Sequence, residues 1–414
     1  MASDKLKIIG KAILILIPYG LERLRQKLLA VQHRWSYEAL PTAQNVVIIG
    51  GSFAGIELAK RLVETLPTGY RVILIEKNSH LNFSWVFPRF SVISGYEKKA
   101  FIPYDGIARS APAGIFSRVQ DTVTDITASQ VNLASGEKID YAYLAIATGS
   151  SQPLPAKVLS TDANEGSKEL RTVQEHIQAA NRVAVIGGGA MGIEIATDIK
   201  SFFPSTEVTV FHSRNQLLPS FGQKLHDFVL LAMETLGIKV VLEARPEILP
   251  GQKSLRLAGV VQEFDFIIPC TGQHPNSSIL ESLESGVISK MTKQILVKPT
   301  LQLQDPNGTL GHIFAVGDVA NTGGPKMGRA GLFQSEVVVK NILAMIDQRE
   351  PAATYKPKLF VEGAIKLTLG KTECVMYAQE EDGTEYLFNV HNGREDLGVE
   401  RAWWQMGTKY KADT

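Results

Sequence analysis

Cysteine is nearly absent from this chain, with two in 414 residues, Cys270 and Cys374. They lie far apart, so no local Cys-x-x-Cys redox pair and no thiol-rich zinc site can form. Charge of one sign is also missing: 43 Lys and Arg stand against 42 Asp and Glu, without the basic excess that nucleic-acid binding leaves. There is no apolar run of the ~20 residues that cross a bilayer. The nearest approach, Ile8 to Leu21, carries Lys11 and Pro18. The histidines are scattered without metal-ligand spacing, so no metal is expected. Short repeats and low-complexity tracts are absent too.

What remains is an ordinary globular composition, 44% hydrophobic and 21% charged, long enough for two or three domains. Within it stand two glycine-rich turns, each following an apolar strand and opening a helix. The first runs Val46 to Glu57, with Gly50, Ser52 and Gly55 at the three glycine positions and Phe53 and Ala54 between. The second runs Val183 to Glu194, with Gly187, Gly189 and Gly192 in place and Ala190 and Met191 between. Such turns let backbone N–H groups and a helix N-terminus approach a pyrophosphate. Two of them predict two dinucleotides on one chain. Ser52 departs from glycine, but its small hydroxyl can still donate to a phosphate.

The strand after each turn separates the two ligands. The first ends at Glu76, followed by Lys77, where a carboxylate accepts from a ribose diol about 20 residues past the turn. The second ends in His212-Ser213-Arg214, with no carboxylate to repel a 2′-phosphate. NADPH is therefore expected there, with NADH tolerated; the alternative for Arg214 is a solvated loop residue. The strand that closes the second unit ends in Cys270-Thr271-Gly272, with Cys270 read as a small core residue.

The N-terminal segment stands outside both units. Leu21, Leu24, Leu28, Val31 and Trp35 share one helical face, and Arg23, Arg25, Lys27 and Arg34 supply positive charge. This pattern suits a helix lying in a membrane interface. The competing expectation is a helix packed on the protein itself or on a homodimer partner.

Two later strands end in Ala147-Thr148-Gly149 and in Gly317-Asp318. With the glycine turns they resemble the pyridine-nucleotide-dependent FAD reductases, and within these the apoptosis-inducing-factor-like branch that includes ferroptosis-suppressor-protein-1-like NAD(P)H:quinone reductases. Pro325-Lys326-Met327, Tyr355-Lys356-Pro357 and Leu367 to Gly370 extend the likeness. The resemblance implies an α/β protein with two Rossmann-like dinucleotide-binding domains of the glutathione-reductase-like FAD/NAD(P) fold, plus a C-terminal α+β domain. Expected limits are 1–43 for the N-terminal segment, 44–157 and 284–350 for the FAD domain, 158–283 for the NAD(P) domain and 351–414 for the C-terminal domain.

By the same resemblance FAD occupies the first turn, Asp318 binds its ribityl chain, and a helix from Ala330 to Ile346 aims its N-terminus at the flavin pyrimidine. Glu194 lies by the nicotinamide and Lys356 by the flavin; their bland alternatives are a helix-start carboxylate and a solvated lysine. Lys326 and Gln334 contact the ring edge. Arg89 and Phe90, in an aromatic stretch from Phe83, line the flavin or substrate mouth. The expected activity is hydride transfer from NAD(P)H through FAD to a lipophilic, quinone-like acceptor, at a cytoplasmic membrane or lipid-droplet surface. The rival readings are an FAD-dependent tailoring oxidase and a nucleotide-bound signalling protein with little turnover.

Overall fold

The computed structural model describes residues 2–251, 253–391 and 393–410, so 411–414 of the expected C-terminal domain lie outside the described residues. Helix α1 (Ala2–Ser36) precedes everything else. The first βαβ unit is β1 (Gln44–Ile49), α2 (Phe53–Thr65) and β2 (Tyr70–Ile75). A short helix α3 (Phe87–Phe90), β3 (Phe116–Val119) and β4 (Tyr143–Ile146) follow. Helix α4 (Ala163–Ala179) leads to the second βαβ unit, β5 (Arg182–Ile186), α5 (Ala190–Phe202) and β6 (Glu207–Phe211). Next come α6 (Gln223–Thr235), β7 (Lys239–Val241), β8 (Phe266–Pro269), β9 (Ile313–Ala315) and α7 (Ala330–Ile346). The chain closes on β10 (Ile365–Leu369), β11 (Glu373–Gln379) and β12 (Glu385–His391).

The first sheet is all parallel in the order β9-β4-β1-β2-β3. Its inner strands β1, β2 and β4 carry unbroken apolar runs because both faces are covered, while the edge strand β3 does not. Val46, Ile48, Val72 and Leu74 face the helical layer. Val47, Ile49, Ile73 and Ile75 face the opposite side with Val131, Leu280 and Leu303. The second sheet, β7-β6-β5-β8, is likewise parallel and sits inside the chain path of the first. The path crosses between the two bodies on paired segments, Ser150 against Pro275 and Ser151 against His274. Leu280 already belongs to the first core. We propose these crossings as the domain limits, both earlier in the chain than the expected 158 and 283.

The third sheet, β10-β11-β12, is antiparallel. It shares its core with the second body: Leu367, Val375, Tyr377 and Leu387 pack with Ile195, Ile199 and Val229.

Helix α1 is packed on the protein itself along part of its surface. It is one continuous helix with Pro18 inside, on an exposed turn where water can take the bond the Leu14 carbonyl loses. One face is fastened to the protein. Arg23 pairs with Glu64 at 2.9 Å, Gln26 donates to Glu336 at 2.7 Å, and Lys224 donates to Asp4 at 2.8 Å. Arg61 donates to Tyr19, and Lys11 pairs with Glu380. The opposite face is a bare apolar stripe of Leu6, Ile13, Leu14, Ile17, Leu21, Leu24, Leu28, Val31 and Trp35, with Leu14 72% and Trp35 85% exposed. Lys5, Lys7, Arg25, Lys27 and Arg34 are exposed alongside. Among the described residues no helix is long and apolar enough to cross a membrane.

Candidate active site

At the first turn the backbone geometry demands glycine. Gly50 has φ +103°, and a Cβ at Gly55 would collide with the Gly50 carbonyl oxygen, where α2 crosses β1. The N–H of Gly51 donates to Glu76 Oε2 at 2.5 Å, and Glu76 Oε1 accepts from the N–H and side-chain amide of Asn78. Ser52 is the N-cap of α2, and its hydroxyl makes no capping bond. The first-turn N–H groups of α2 have no acceptor within the helix. Hydroxyl and N–H groups together fit a diphosphate. Lys77, just past Glu76, is exposed.

Opposite this turn, Gly331 at the start of α7 packs against Ala54, and Gln334 Oε1 accepts from the Gly317 N–H at 2.7 Å. The N-termini of α2 and α7 therefore converge beside Gly317-Asp318. Asp318 accepts from the Ser150 hydroxyl at 3.3 Å. Ala147 is buried and Thr148 and Gly149 are partly so; the Thr148 hydroxyl donates to the Asn276 carbonyl at 2.8 Å, tying the strand end to the crossing segment. Lys326 is turned onto the Ala320 carbonyl, while Met327 packs toward the second core.

Two cations in this region are not among the sequence-based candidates. Lys157 lies beside Asp318 and Glu76; burial pulls its ammonium down and those carboxylates hold it up. Arg329 is the residue before α7, and its Nε is buried without a partner. An uncompensated buried donor at a helix N-terminus is the mark of a site made for an anion. No motif announces either residue. The diphosphate-sized turn, Asp318 and these cations fit FAD.

The second turn repeats the first. Gly187 has φ +129°, and a Cβ at Gly192 would collide with the Gly187 carbonyl oxygen. Gly189 caps α5 and faces open space, while Ala190 and Met191 are half-buried at the helix start. Ser213, Arg214, Thr271 and Gly272 are exposed around the mouth. His212 is buried and bonded within the protein. Cys270 sits behind the turn, where burial pushes its thiol up to about 12, as a core residue rather than a nucleophile.

Between the two turns lies a polar cluster from three parts of the chain. Glu194 on α5 accepts from the N–H and the hydroxyl of Thr368 on β10, each at 3.0 Å. Burial pushes its carboxyl up to about 7. Arg89 on α3 donates through Nε to Asp198 at 2.8 Å and through Nη2 to the Gly370 carbonyl at 2.7 Å. It is 1% exposed and Asp198 is fully buried, so this pair joins the first body to α5 and the third sheet. Only Nη1 of Arg89 is left, buried and without a protein partner, to serve a cofactor. Phe90 is buried core. The aromatic mouth is instead Phe53, Phe83 and Trp85, with Trp85 stacked on Phe53 at 4.7 Å and about half exposed.

Lys356 stands apart from this cluster. It lines a cleft between α1 and α7 together with Tyr19, Phe333, Val337, Tyr355 and Lys358. The inner wall of that cleft adjoins the cofactor region, since Phe333 precedes Gln334 on α7 and Gln334 holds Gly317.

A family described as pyridine nucleotide-disulphide oxidoreductase matches residues 44–338. Fe-regulated protein 8 of Mycosarcoma maydis is 32% identical over 398 residues, covering 88% of this chain and 95% of that protein. Ferroptosis suppressor protein 1 of Homo sapiens is 30% identical over 361 residues, covering 80% and 88%. Among solved structures, the sulfide:quinone oxidoreductase of Aquifex aeolicus superposes with a TM-score of 0.71 at 18% identity, covering 88% of this chain and 92% of that one.

Proposed function

We propose that this chain, which belongs to the pyridine nucleotide-disulphide oxidoreductase family, passes hydride from NAD(P)H through FAD to a quinone-like, lipophilic acceptor. It is an NAD(P)H-dependent FAD oxidoreductase; the acceptor is what the proposal adds. FAD, when bound, supplies the two-electron chemistry that links the donor to the acceptor. The carrying observation is the cleft of Tyr19, Phe333, Val337 and Tyr355 between α1 and α7, on a helix whose outer face is a bare apolar stripe. An apolar stripe flanked by basic residues suits an anionic lipid surface, where a lipid-soluble acceptor is concentrated. Lys356 and Lys358 at the rim place positive charge where an acceptor gains electron density.

Removing α1 is a blunt test, because its other face is packed against α2, α7 and the third sheet. Leu24→Glu with Leu28→Glu changes only exposed positions. This variant should keep turnover with a water-soluble quinone, cease to sediment with anionic vesicles, and lose turnover with a long-chain quinone in them. Full-length protein that reduces oxygen but no quinone would sink the acceptor. Unchanged sedimentation of the variant would sink the lipid surface, and a shift from dimer to monomer would assign the stripe to a second copy.

Glu194 is proposed to position the nicotinamide. Held by Thr368, its ionised carboxylate accepts from the carboxamide N–H and favours the positive charge left on the ring as hydride departs. Because burial holds the carboxyl near 7, it is protonated below that pH and loses acceptor strength. Flavin reduction by NAD(P)H in stopped flow should rise through pH 7 by about tenfold, the worth of one charge-assisted hydrogen bond. Glu194→Gln should flatten that step at the low-pH rate. A step that survives in the variant assigns the titration elsewhere.

A further inference from the structure

Tyr355 belongs to two surroundings. It lines the cleft between α1 and α7 with Tyr19, Phe333 and Val337. Its hydroxyl lies against the loop that follows Asp318, where a Cβ on Gly324 would come within 2.6 Å of it. There the hydroxyl donates to Oε2 of Glu362. Glu362 ends a short helix, Leu359–Glu362, and is fully buried. Its other oxygen accepts from the Lys358 N–H at 2.9 Å.

A buried carboxylate is costly unless a cation pairs with it. Asp198, equally buried, has Arg89. Among the described residues Glu362 makes no ion pair; its partners are a phenol and a backbone N–H. Burial raises its carboxyl, and the bonds from Tyr355 and Lys358 oppose that rise. The pair has two proton arrangements. With Glu362 ionised, the phenol donates to the carboxylate. With Glu362 protonated, the carboxyl donates to the phenol oxygen, and the phenol hydrogen is free for a molecule in the cleft.

Reduction of a quinone calls for such a hydrogen. A quinone takes up two electrons and two protons on its way to quinol. A hydride brings both electrons and one proton, and it leaves one oxygen as O⁻. The second proton must be supplied. The cleft, at about 230 Å³, exceeds the ~150 Å³ cavity that takes up a benzene ring, so a quinone head fits.

We propose that Tyr355 is the catalytic acid of the acceptor step and that Glu362 is the proton store behind it. The proposal rests on the cleft being the acceptor site. The quinol O–H bond forms as the Tyr355 O–H bond breaks, and the Glu362 proton passes to the phenolate oxygen. Once quinol leaves, water in the cleft returns one proton through Tyr355 to Glu362. The sum is one quinone, one hydride and one solvent proton giving one quinol.

The test is anaerobic reoxidation of the photoreduced, FAD-loaded protein in stopped flow by two acceptors, a short-chain quinone and ferricyanide. Ferricyanide takes electrons singly and no proton. The quinone rate divided by the ferricyanide rate should fall about hundredfold in Tyr355→Phe, the lower end of what a positioned acid contributes. Glu362→Gln should lower the ratio less, because water in the cleft still reaches Tyr355. Infrared spectra of the oxidised protein should carry the stretch of a protonated carboxyl that Glu362→Gln removes. A wild-type ratio in either variant, whether or not both rates fall, means that the pair only ties the fold together and overturns the proposal. An infrared spectrum unchanged by Glu362→Gln overturns the store. Should Tyr355→Phe lose its flavin, Glu362→Gln carries the kinetic test alone. Wild-type protein that ferricyanide reoxidises and no quinone does refutes the quinone acceptor, a separate failure.

Discussion

A valine at position 192 is expected to give a yellow protein that NAD(P)H no longer bleaches. Gly192 lies where α5 crosses β5, and a Cβ there runs into the Gly187 carbonyl oxygen. Overpacking against side chains typically costs about 1–3 kcal/mol. Here the obstacle is backbone, so the turn itself must open and the N–H groups that hold the coenzyme phosphates lose their arrangement. The first turn lies in another body with its own sheet, so FAD should stay. Gly55→Val, the equivalent change at the first turn, should give colourless protein. Absorbance of the flavin band and anaerobic titration with NADPH separate the two outcomes. Bleaching of the Gly192 variant at the wild-type rate would remove the assignment of the second turn.

Loss of the Asp198 carboxylate should be the most destabilising single change at the junction of the bodies. Arg89 is buried with two of its nitrogens paired, and Asp198→Ala leaves that guanidinium charged in the interior without its counterion. Breaking one side of a buried pair costs about 3–5 kcal/mol. Urea unfolding followed by release of flavin fluorescence should show an unfolding free energy lower by that much. Replacing both members with apolar residues, Arg89→Met with Asp198→Leu, should recover part of the loss, because no buried charge is then orphaned. A loss under about 1 kcal/mol for Asp198→Ala would mean that the pair behaves like an exposed one.

The parts of the site legible in the sequence are those whose elements are neighbours in the chain. A strand, a glycine turn and a helix within a dozen residues announce Gly50 to Glu57 and Gly187 to Glu194. The spacing to the next strand announces Glu76 and the missing carboxylate at His212. The rest depends on contacts between distant segments. Arg89 meets Asp198 across 109 positions, and Glu194 meets Thr368 across 174. Neither spacing carries periodicity or composition that a sequence reading can detect. Lys157 and Arg329 are missed for the same reason: a cation becomes informative only when burial has removed its water. His212 is expected at the coenzyme phosphate, but its two hydrogen bonds tie it to Gly188 and Gln216. In α1 the amphipathic pattern is visible, yet the pattern does not say that the polar face is the one fastened to the protein.

That helix has one more consequence. Its 35 residues make a rod about 50 Å long at 1.5 Å per residue. Near its start Asp4 is bonded to Lys224, and near its end His33 is bonded to the Leu66 carbonyl. A rod pinned at both ends cannot tilt away from the body that carries it. A flat surface that takes up the stripe of α1 therefore fixes the pitch of the whole molecule and stops it rolling. Spinning about the surface normal is the rotation that remains. The cleft beside Tyr19 then keeps a constant height above that surface, and on the proposed function its search for an acceptor dissolved there is confined to two dimensions.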